Sequence, residues 1–347
     1  MKRLIKVLRN TLVSFIVLYL ALFATTKVIR YPEPIAAIKL GLAPASKTPA
    51  MMPSHLIQPA RIPIEIPRGT EEMPKQVQYK KVTTSWDDFL KATNTNAFLV
   101  IRNGVLTYEW YKTGFDASTQ FPSYSVAKTM TSIMIGRLIS EGKIKESDHF
   151  IDFYPELKNG SAFDRVTIKS LLDMQGGIAV SDNYPTGPQG WGVAIAQMYA
   201  TTDMHWFLSH NRKMDSEPGA RAEYRSVDTQ LLGMIIKKVT GKKVADYFSE
   251  MVWQKVGAEF PATWNVDRIG GFEKTFCCFN AAARDYARVG LAILNGGYSS
   301  STQIITKDWL NRITTPVVTL DHGWGYGAQV WHPFPGISMA LGLHGQF

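Results

Sequence analysis

The residues FPSYSVAK at positions 121–128 place Ser125 and Lys128 three positions apart, where a helix is predicted to begin. Positions i and i+3 of a helix share one face, with Cβ atoms roughly 5–6 Å apart. A helix over about residues 125–141 is indicated by the apolar stripe of Val126, Met130, Ile133, Met134 and Leu138. Because the N-terminus of a helix carries unpaired N–H groups and a partial positive charge, the sequence predicts a hydroxyl and an amine side by side in an electropositive setting.

This pair has the chemistry of an activated nucleophile. A neutral Lys128 is able to take the proton of Ser125, which turns a weak nucleophile into a reactive one. The same spacing recurs at Ser140 and Lys143, but Gly142 predicts that the helix ends there, so the second serine lacks a helix N-terminus. The alternative interpretation of the first pair is an exposed lysine one turn after a capping serine.

The charge of the chain is concentrated at one end. The chain has 347 residues, of which 45% are hydrophobic and 19% charged, a globular composition with enough length for a large core. Residues 1–80 hold twelve Lys/Arg against four Asp/Glu, a net charge of +8, whereas residues 81–347 hold twenty-six against twenty-five, a net charge of +1. The bulk of the chain therefore lacks the basic face that nucleic-acid binding requires.

The N-terminus has the pattern of a membrane-targeting segment over residues 1–26. An uncharged stretch of seventeen residues, 10–26, is flanked by the basic residues Lys2, Arg3, Lys6, Arg9, Lys27 and Arg30. Cleavage after Ala24 would put Leu22 at the −3 position, where a small residue is preferred, so we expect an uncleaved signal anchor, with a cleaved signal peptide as the alternative. The preceding positive charge favours export of the rest. In a bacterium, this predicts an inner-membrane protein with its domain in the periplasm or outside the cell, or a secreted protein after cleavage.

Residues 27–80 are interpreted as a Pro-rich tether that precedes the domain at 81–347. Nine of the eighteen prolines fall within residues 31–80, which favours extended chain lying along the domain surface. The two cysteines, Cys277 and Cys278, are adjacent, and adjacent residues rarely meet disulfide geometry, so we expect two buried thiols. The seven histidines show no metal-ligand spacing, and neither a metal nor a cofactor is predicted.

The order of the predicted elements indicates an α+β fold. A β-hairpin is predicted over residues 96–111 around Asn103-Gly104. Strands over 322–331 and 337–347, joined by a turn at 333–336, are predicted to close the chain. The middle is helical, with segments at about 167–174, 227–240, 243–253, 281–295 and 306–313, and a loop at 177–205 long enough to cover a substrate. We therefore expect one antiparallel β-sheet flanked by helices, with an inserted all-helical lobe.

Two further segments carry polar side chains that suit a hydrolytic site. Tyr224 and Ser226 precede an apolar helix, and a tyrosine beside a lysine is able to shuttle protons to a leaving group. The alternative is a packed tyrosine with a capped serine. Near the end, Leu343 and His344 lie in a Gly-rich stretch whose backbone is predicted to approach a substrate closely, although a lone histidine such as His344 more often has a structural role than that of a base.

Together and in this order, these segments resemble the serine β-lactamase and penicillin-binding-protein superfamily. The resemblance is closer to its branch of 6-aminohexanoate-dimer hydrolases and carboxylesterase-like enzymes, and it spans roughly residues 95–347. It is carried by SVAK at 125–128, EYRSVDTQLLG at 223–233, ARDYARVG at 283–290 and GLHGQ at 342–346. The resemblance implies a β-lactamase/transpeptidase-like fold and a serine acyl-enzyme mechanism.

The resemblance also implies a role for each residue of the site. Ser125 attacks a carbonyl, Lys128 holds or accepts its proton, and Tyr224 acts as general base and acid. The backbone N–H groups of Ser125 and Leu343 form the oxyanion hole. Tyr184 matches a loop tyrosine that closes on the substrate. Neither a cofactor nor a metal is implied.

Departures from the family pattern narrow the expected substrate. Ser226 replaces an asparagine, which argues against efficient β-lactam turnover, and no lysine precedes the final glycines, so His344 or an arginine would have to recognise a carboxylate. We expect a hydrolase of small esters or amides. The alternatives are a penicillin-recognising peptidase or β-lactamase, and a non-catalytic cell-wall or peptide-binding protein. The sequence does not predict an oligomeric state.

The family pattern continues past the final strand of this chain into another strand and a C-terminal helix. At Phe347, we therefore expect either that the chain is a fragment or that a sheet edge and an apolar face are left bare.

Overall fold

The structure is a computed structural model that describes residues 2–183, 193–320 and 323–347. Its strands are β1 (Ser54–Ile57), β2 (Gln76–Tyr79), β3 (Val82–Ser85), β4 (Ala97–Arg102), β5 (Val105–Tyr111), β6 (Gln120–Pro122), β7 (Ala262–Asn265), β8 (Phe279–Ala282), β9 (Tyr298–Ser299), β10 (Thr302–Gln303), β11 (Val318–Thr319), β12 (Gly325–Gly327) and β13 (Val330–His332). Its α-helices are α1 (Lys2–Val28), α2 (Pro34–Leu42), α3 (Trp86–Ala92), α4 (Val126–Ser140), α5 (Phe150–Phe153), α6 (Ile168–Leu172), α7 (Ala194–Ala200), α8 (Met204–His210), α9 (Ser226–Thr240), α10 (Val244–Phe248), α11 (Ala283–Leu294) and α12 (Lys307–Thr314).

An antiparallel sheet in the order β1-β7-β8-β6 carries the site. Trp264 of β7 and Phe279 of β8 pack against Phe248 and Trp253 from outside the sheet, and the rings meet edge to face or tilted. All four are completely buried, so the sheet rests on a close-packed apolar layer.

A helical lobe separates β6 from β7 along the chain, as the sequence predicted. The described residues of this lobe contain α4 to α10, and α4 packs against α9 in its centre. Helix α9 is capped at its C-terminus by Gly241, whose φ of 66° is left-handed. The long loop predicted over 177–205 is wrong in its last part, because α7 occupies Ala194–Ala200.

The predicted hairpin around Asn103-Gly104 is confirmed as β4 and β5, which form a separate antiparallel pair. Both turn residues have positive φ, 49° and 80°, as the tight turn requires. The predicted strand over 337–347 is wrong: this segment makes only the isolated bridges Trp331↔Met339 and Gly342↔Gln346. Its backbone turns at His344 and Gly345, both with positive φ, which ends any extended run.

The segment predicted as an extended tether is partly folded into helix and strand. It contains α2, a 3-10 helix at Ala45–Met51 and β1, which pairs with β7 at the edge of the sheet. The side chain of Ile57 is completely buried there. Pro34 takes the first position of α2, where a missing N–H costs nothing, so proline begins this helix rather than preventing it.

The cysteine prediction is also wrong. Cys277 and Cys278 are joined by a disulfide, and both are buried. Cys278 has a φ of 69°, so the backbone turns sharply at this point and brings the two neighbouring side chains together.

Helix α1 is the longest element, with 27 residues. Its length and composition suit a membrane span, and a signal sequence near an N-terminus has the same properties. The chain after it is attached to the domain, because the N–H of Thr202 donates to the carbonyl of Arg30 at 2.8 Å.

Candidate active site

Ser125 stands at the N-terminus of α4, directly after strand β6. The end of β6 is fixed by two hydrogen bonds between Ser123 and Phe279: the N–H of Ser123 donates at 2.7 Å, and its hydroxyl accepts from the N–H of Phe279 at 3.2 Å. Tyr124 then adopts a φ of 43°, which is uncommon for a residue other than glycine and makes a sharp strand-to-helix turn. Ser125 is the N-cap residue of α4. The sequence-predicted position of this serine is confirmed.

The ammonium group of Lys128 is the centre of the site. Its Nζ donates to Ser125 Oγ at 2.9 Å, to Ser226 Oγ at 2.9 Å and to the carbonyl oxygen of Phe276 at 2.8 Å. The residue is 1% exposed. Burial lowers the pKa of Lys128 to about 8, and the negative charge of Asp182 opposes this shift. The change from 10.5 corresponds to about 3 kcal/mol favouring the neutral amine.

Ser226 connects Lys128 to a carboxylate. Its N–H donates to Oδ1 of Asp182 at 2.6 Å and its hydroxyl donates to Oδ2 at 2.5 Å. Burial raises the pKa of Asp182, while Lys128 and the hydrogen bonds from Ser226 act against that rise. Asp182, Ser226 and Lys128 therefore form a continuous polar chain that ends at the hydroxyl of Ser125.

Tyr224 lies over the lysine. The Nζ of Lys128 is 5.0 Å from the centre of the Tyr224 ring. Two further aromatic rings pack against Tyr224. The ring of Trp331 stacks on the Tyr224 ring with centroids 5.2 Å apart, and the ring of Tyr326 meets the Tyr224 ring edge-on at 6.1 Å. The next residue, Arg225, is buried and forms ion pairs with two carboxylates at 2.8 Å, which fixes the backbone that carries the tyrosine.

The closing Gly-rich segment lies beside the turn that carries Ser125. A Cβ atom at Gly342 would lie 2.4 Å from the carbonyl oxygen of Ser123, so only glycine fits this approach. The ring of His344 meets the ring of Tyr124 edge-on at 5.0 Å. Leu343, which lies between Gly342 and His344 in the sequence, is 51% exposed. Tyr184 lies outside the described residues.

The second serine–lysine pair is arranged differently. Ser140 donates its hydroxyl to the carbonyl of Gly136 at 2.7 Å, and Lys143 forms an exposed ion pair with Glu141 at 2.8 Å. These bonds hold the Ser140 hydroxyl and the Lys143 amine on other partners and not on each other. The same serine–lysine spacing therefore gives two unrelated arrangements at the two ends of α4.

Sequence reasoning missed three groups of the site. Asp182 was not predicted, although a carboxylate two residues before Tyr184 was a usable signal. The carbonyl of Phe276 carries no side-chain signal at all. Trp331 was assigned to a closing strand, and its contact with Tyr224 depends on tertiary packing between elements more than 100 residues apart.

The sequence profile of the Beta-lactamase family matches residues 87–346. The chain belongs to the β-lactamase family. It is 31% identical over 232 residues to the 6-aminohexanoate-dimer hydrolase of Paenarthrobacter ureafaciens, a match that covers 65% of this chain. The chain spans 58% of the length of that relative.

Solved structures give the same fold. A Bacillus anthracis structure assigned as a 6-aminohexanoate-dimer hydrolase superimposes with a TM-score of 0.74 at 25% identity, covering 90% of this chain and 84% of that one. The octameric penicillin-binding protein homologue of Pyrococcus abyssi has a TM-score of 0.56 at 18% identity, covering 71% and 63%. The predicted α+β fold and the superfamily are thereby confirmed, and the chain is a β-lactamase-fold protein of a hydrolase family.

Proposed function

We propose that the protein is an exported serine hydrolase that cleaves small esters or amides through an acyl-enzyme on Ser125. The observation that carries this proposal is the position of the Lys128 amine, which is buried and lies 2.9 Å from the hydroxyls of both Ser125 and Ser226. The name of the relative from Paenarthrobacter supports an amide or a related ester as the substrate class.

Acylation begins when Lys128 is neutral. With a pKa of about 8, roughly one lysine in ten is neutral at pH 7. The neutral amine accepts the proton of Ser125 as the hydroxyl oxygen forms a bond to the substrate carbonyl carbon. The negative charge moves to the carbonyl oxygen, where the backbone N–H groups of Ser125 and Leu343 donate to it. A helix N-terminus at Ser125 adds favourable potential at the same point.

The tetrahedral intermediate collapses when its leaving group takes up a proton. Tyr224 gives its phenolic proton to the leaving oxygen or nitrogen and recovers one from the lysinium of Lys128. Water then attacks the Ser125 ester while Tyr224 takes a proton from the water and passes its own phenolic proton to the neutral Lys128 amine. The lysinium returns that proton to the Ser125 oxygen as the acyl bond breaks, which releases the acid and regenerates the Ser125 hydroxyl. His344 lines the substrate side in this proposal, whereas Ser226, which is 3% exposed, holds the Lys128 amine.

Asp182 sets the charge of the site. Its carboxylate accepts two hydrogen bonds from Ser226, whose hydroxyl in turn accepts from Lys128. The negative charge keeps the lysine from losing its proton too readily, so the amine titrates near neutral pH rather than remaining neutral throughout. We assign Asp182 as a positioning residue.

The location proposed for the protein is the bacterial inner membrane, with the domain in the periplasm or outside the cell. Helix α1 is exposed along its length and long enough to cross a bilayer. Secretion after cleavage of this helix is the alternative outcome.

The test is hydrolysis of p-nitrophenyl butyrate by the wild type and by Ser125→Ala. We expect the variant to lose at least about a thousandfold in kcat/KM, since the nucleophile is removed. Ser140→Ala is the matched control, because Ser140 has the same spacing to a lysine and should leave the rate unchanged. Unchanged turnover in Ser125→Ala would reject the assignment.

Labelling by a fluorophosphonate probe and by a fluorescent penicillin separates the alternatives. We expect fluorophosphonate to label the wild type at Ser125 and not Ser125→Ala. Strong penicillin labelling that is lost in Ser125→Ala would favour a penicillin-recognising enzyme. A chain that neither hydrolyses esters nor reacts with fluorophosphonate would instead be a binding protein.

A further inference from the structure

The exposed face of α2 is apolar. Ile35, Ile38 and Leu42 follow one another at i, i+3 and i+7, and they are 50%, 48% and 72% exposed. A helix on the surface of a soluble domain has the opposite arrangement, with its apolar stripe turned to the core. The apolar stripe of α2 therefore points away from the domain, while Pro34 at the start of the helix is buried.

Helix α2 lies directly beside α1. The phenol of Tyr19 in α1 donates to Oε2 of Glu33 at 3.0 Å, and Glu33 caps α2 by accepting from the N–H groups of Ile35 and Ala36. Tyr19 is inside the uncharged stretch 10–26. If α1 crosses a bilayer, the start of α2 is thus held at the level of the lipid.

A further exposed apolar residue, Ile269, lies near the C-terminal end of α1. Ile269 is 91% exposed, and its neighbour Arg268 donates to the carbonyl of Thr202 at 3.1 Å. Thr202 in turn donates its N–H to the carbonyl of Arg30, two residues after the end of α1. The tip at Ile269 is therefore fixed close to the point where α1 joins the domain.

The charges around this end suit the headgroups of anionic lipids. Four basic residues, Lys27, Arg30, Lys39 and Arg268, lie at this end, against the partly exposed carboxylates of Glu33 and Asp203. Basic residues next to a membrane-inserted helix are attracted to anionic phospholipids. Apolar side chains mixed with basic ones are the composition of helices that lie in the plane of the interface.

We propose that Ile35, Ile38, Leu42 and Ile269 form a membrane-docking face that sits in the phospholipid bilayer crossed by α1. The occupant is lipid, because the face is continuous with α1 and the charged residues beside it are mostly basic. This proposal rests on α1 as a membrane span but does not depend on catalysis.

The docking face is connected to the proposed active site. Helix α2 leads into the 3-10 helix that begins at Ala45, and the carbonyl of Ala45 accepts a hydrogen bond from the phenol of Tyr124 at 3.1 Å. Tyr124 immediately precedes Ser125. A docked α2 therefore holds the turn that carries the nucleophile close to the membrane surface, where amphiphilic substrates accumulate.

The experiment places an environment-sensitive NBD fluorophore on the face. The full chain carrying Leu42→Cys is labelled and reconstituted, one copy per nanodisc, in phosphatidylcholine and phosphatidylglycerol with or without doxyl-labelled lipid. The paired, buried Cys277 and Cys278 do not compete for the label. Leu294→Cys is the matched control, because Leu294 is also exposed (76%) but lies at the end of α11. Mass spectrometry verifies that α1 is intact.

We expect blue-shifted NBD emission at position 42 that doxyl lipid quenches several-fold more strongly than it quenches the label at position 294. Equal quenching at both positions, with the emission of a water-exposed label, would overturn the proposal. Blue-shifted emission without lipid quenching would also overturn it, since protein would then cover the face. The esterase activity of the labelled Leu42→Cys protein, whose Ser125 is unchanged, is measured in parallel. A failure of the proposed function is therefore seen separately from a failure of membrane docking.

Discussion

Two lysines of this protein share nearly every property that is used to find catalytic lysines. Lys128 and Lys274 are each 1% exposed, and burial lowers the pKa of each to about 8. Each lies near a tyrosine ring, with its Nζ 5.0 Å from the ring centre of Tyr224 in one case and 5.9 Å from that of Tyr199 in the other.

They differ in the atoms that accept their hydrogen bonds. Lys128 donates to two hydroxyls and one carbonyl, whereas Lys274 donates to the carbonyl oxygens of Tyr199 and Thr201. A hydroxyl is able to give its own proton to a neutral amine, whereas a carbonyl oxygen has no proton to give. A perturbed pKa therefore does not identify a functional lysine by itself. The group that accepts the hydrogen bond from Nζ distinguishes a lysine that is able to take up a proton from a nucleophile from one that is not. Lys274 instead joins the end of α7 to the chain that leads into β8.

The largest expected difference in catalytic activity is between the methionine variants of the two lysines. Lys128→Met removes the group that takes the serine proton, and we expect kcat/KM for p-nitrophenyl butyrate to fall about a thousandfold. Lys274→Met leaves two carbonyls without their donor, which affects stability, and we expect kcat/KM of the folded protein to change by less than about threefold. Circular dichroism establishes that both variants are folded at the assay temperature. A similar loss of kcat/KM in the two variants would show that burial alone, not the hydroxyl partners, explains the effect.

The tyrosines provide the next comparison. We expect Tyr224→Phe to lower kcat by about a hundredfold, because the ring still packs on Trp331 but no phenol remains to protonate the leaving group. Burial raises the pKa of Tyr199 to about 12, and we expect Tyr199→Phe to leave kcat unchanged. If Tyr224→Phe raises KM but leaves kcat unaltered, the phenol binds substrate and does not transfer protons.

The local features of this comparison were predictable from the sequence. The spacing of Ser125 and Lys128, the helix that begins after the serine and the hairpin at 96–111 depend on neighbours within a few residues. The order of the motifs was enough to predict the superfamily, and the order of the predicted elements was enough to predict the α+β fold. Lys274, by contrast, stands in a segment with no motif, and its similarity to Lys128 arises only from tertiary burial.

The remaining features were not predictable because they depend on contacts between distant segments. The tether contributes β1 through pairing with β7, about 200 residues away, and no local pattern marks such an edge strand. The Cys277–Cys278 disulfide depends on a positive φ at Cys278. The partners of Lys128 come from residues 226 and 276, so its hydrogen bonds follow from the assembled lobe rather than from the serine–lysine spacing.

The two lysines should behave alike in one respect, their linkage to stability. The folded-state pKa of about 8 lies below the unfolded value of 10.5, so the unfolded chain binds the extra proton between these pH values. The free energy of unfolding therefore rises with pH through this window. Below about pH 8 each lysine is charged in the folded state, so the full cost of burying the charge lowers the stability there. Relative to each methionine variant, we expect the wild type to gain about 1.4 kcal/mol per pH unit, measured by urea unfolding from about pH 8 to pH 10. A slope present for one lysine and absent for the other would contradict their similar burial.

The smallest expected effect concerns the carboxylate near Lys128. Activity requires the neutral amine, so kcat/KM should rise with pH and level off above an inflection near pH 8. The charge of Asp182 raises the pKa of Lys128, and Asp182→Asn removes that charge while keeping an acceptor for Ser226. We therefore expect the inflection to move to lower pH, with a few-fold higher ratio of the rate at about pH 6 to the plateau rate. Lys274→Met should leave the inflection in place. An inflection that stays fixed in Asp182→Asn would mean that the group titrating in the wild-type profile is not Lys128.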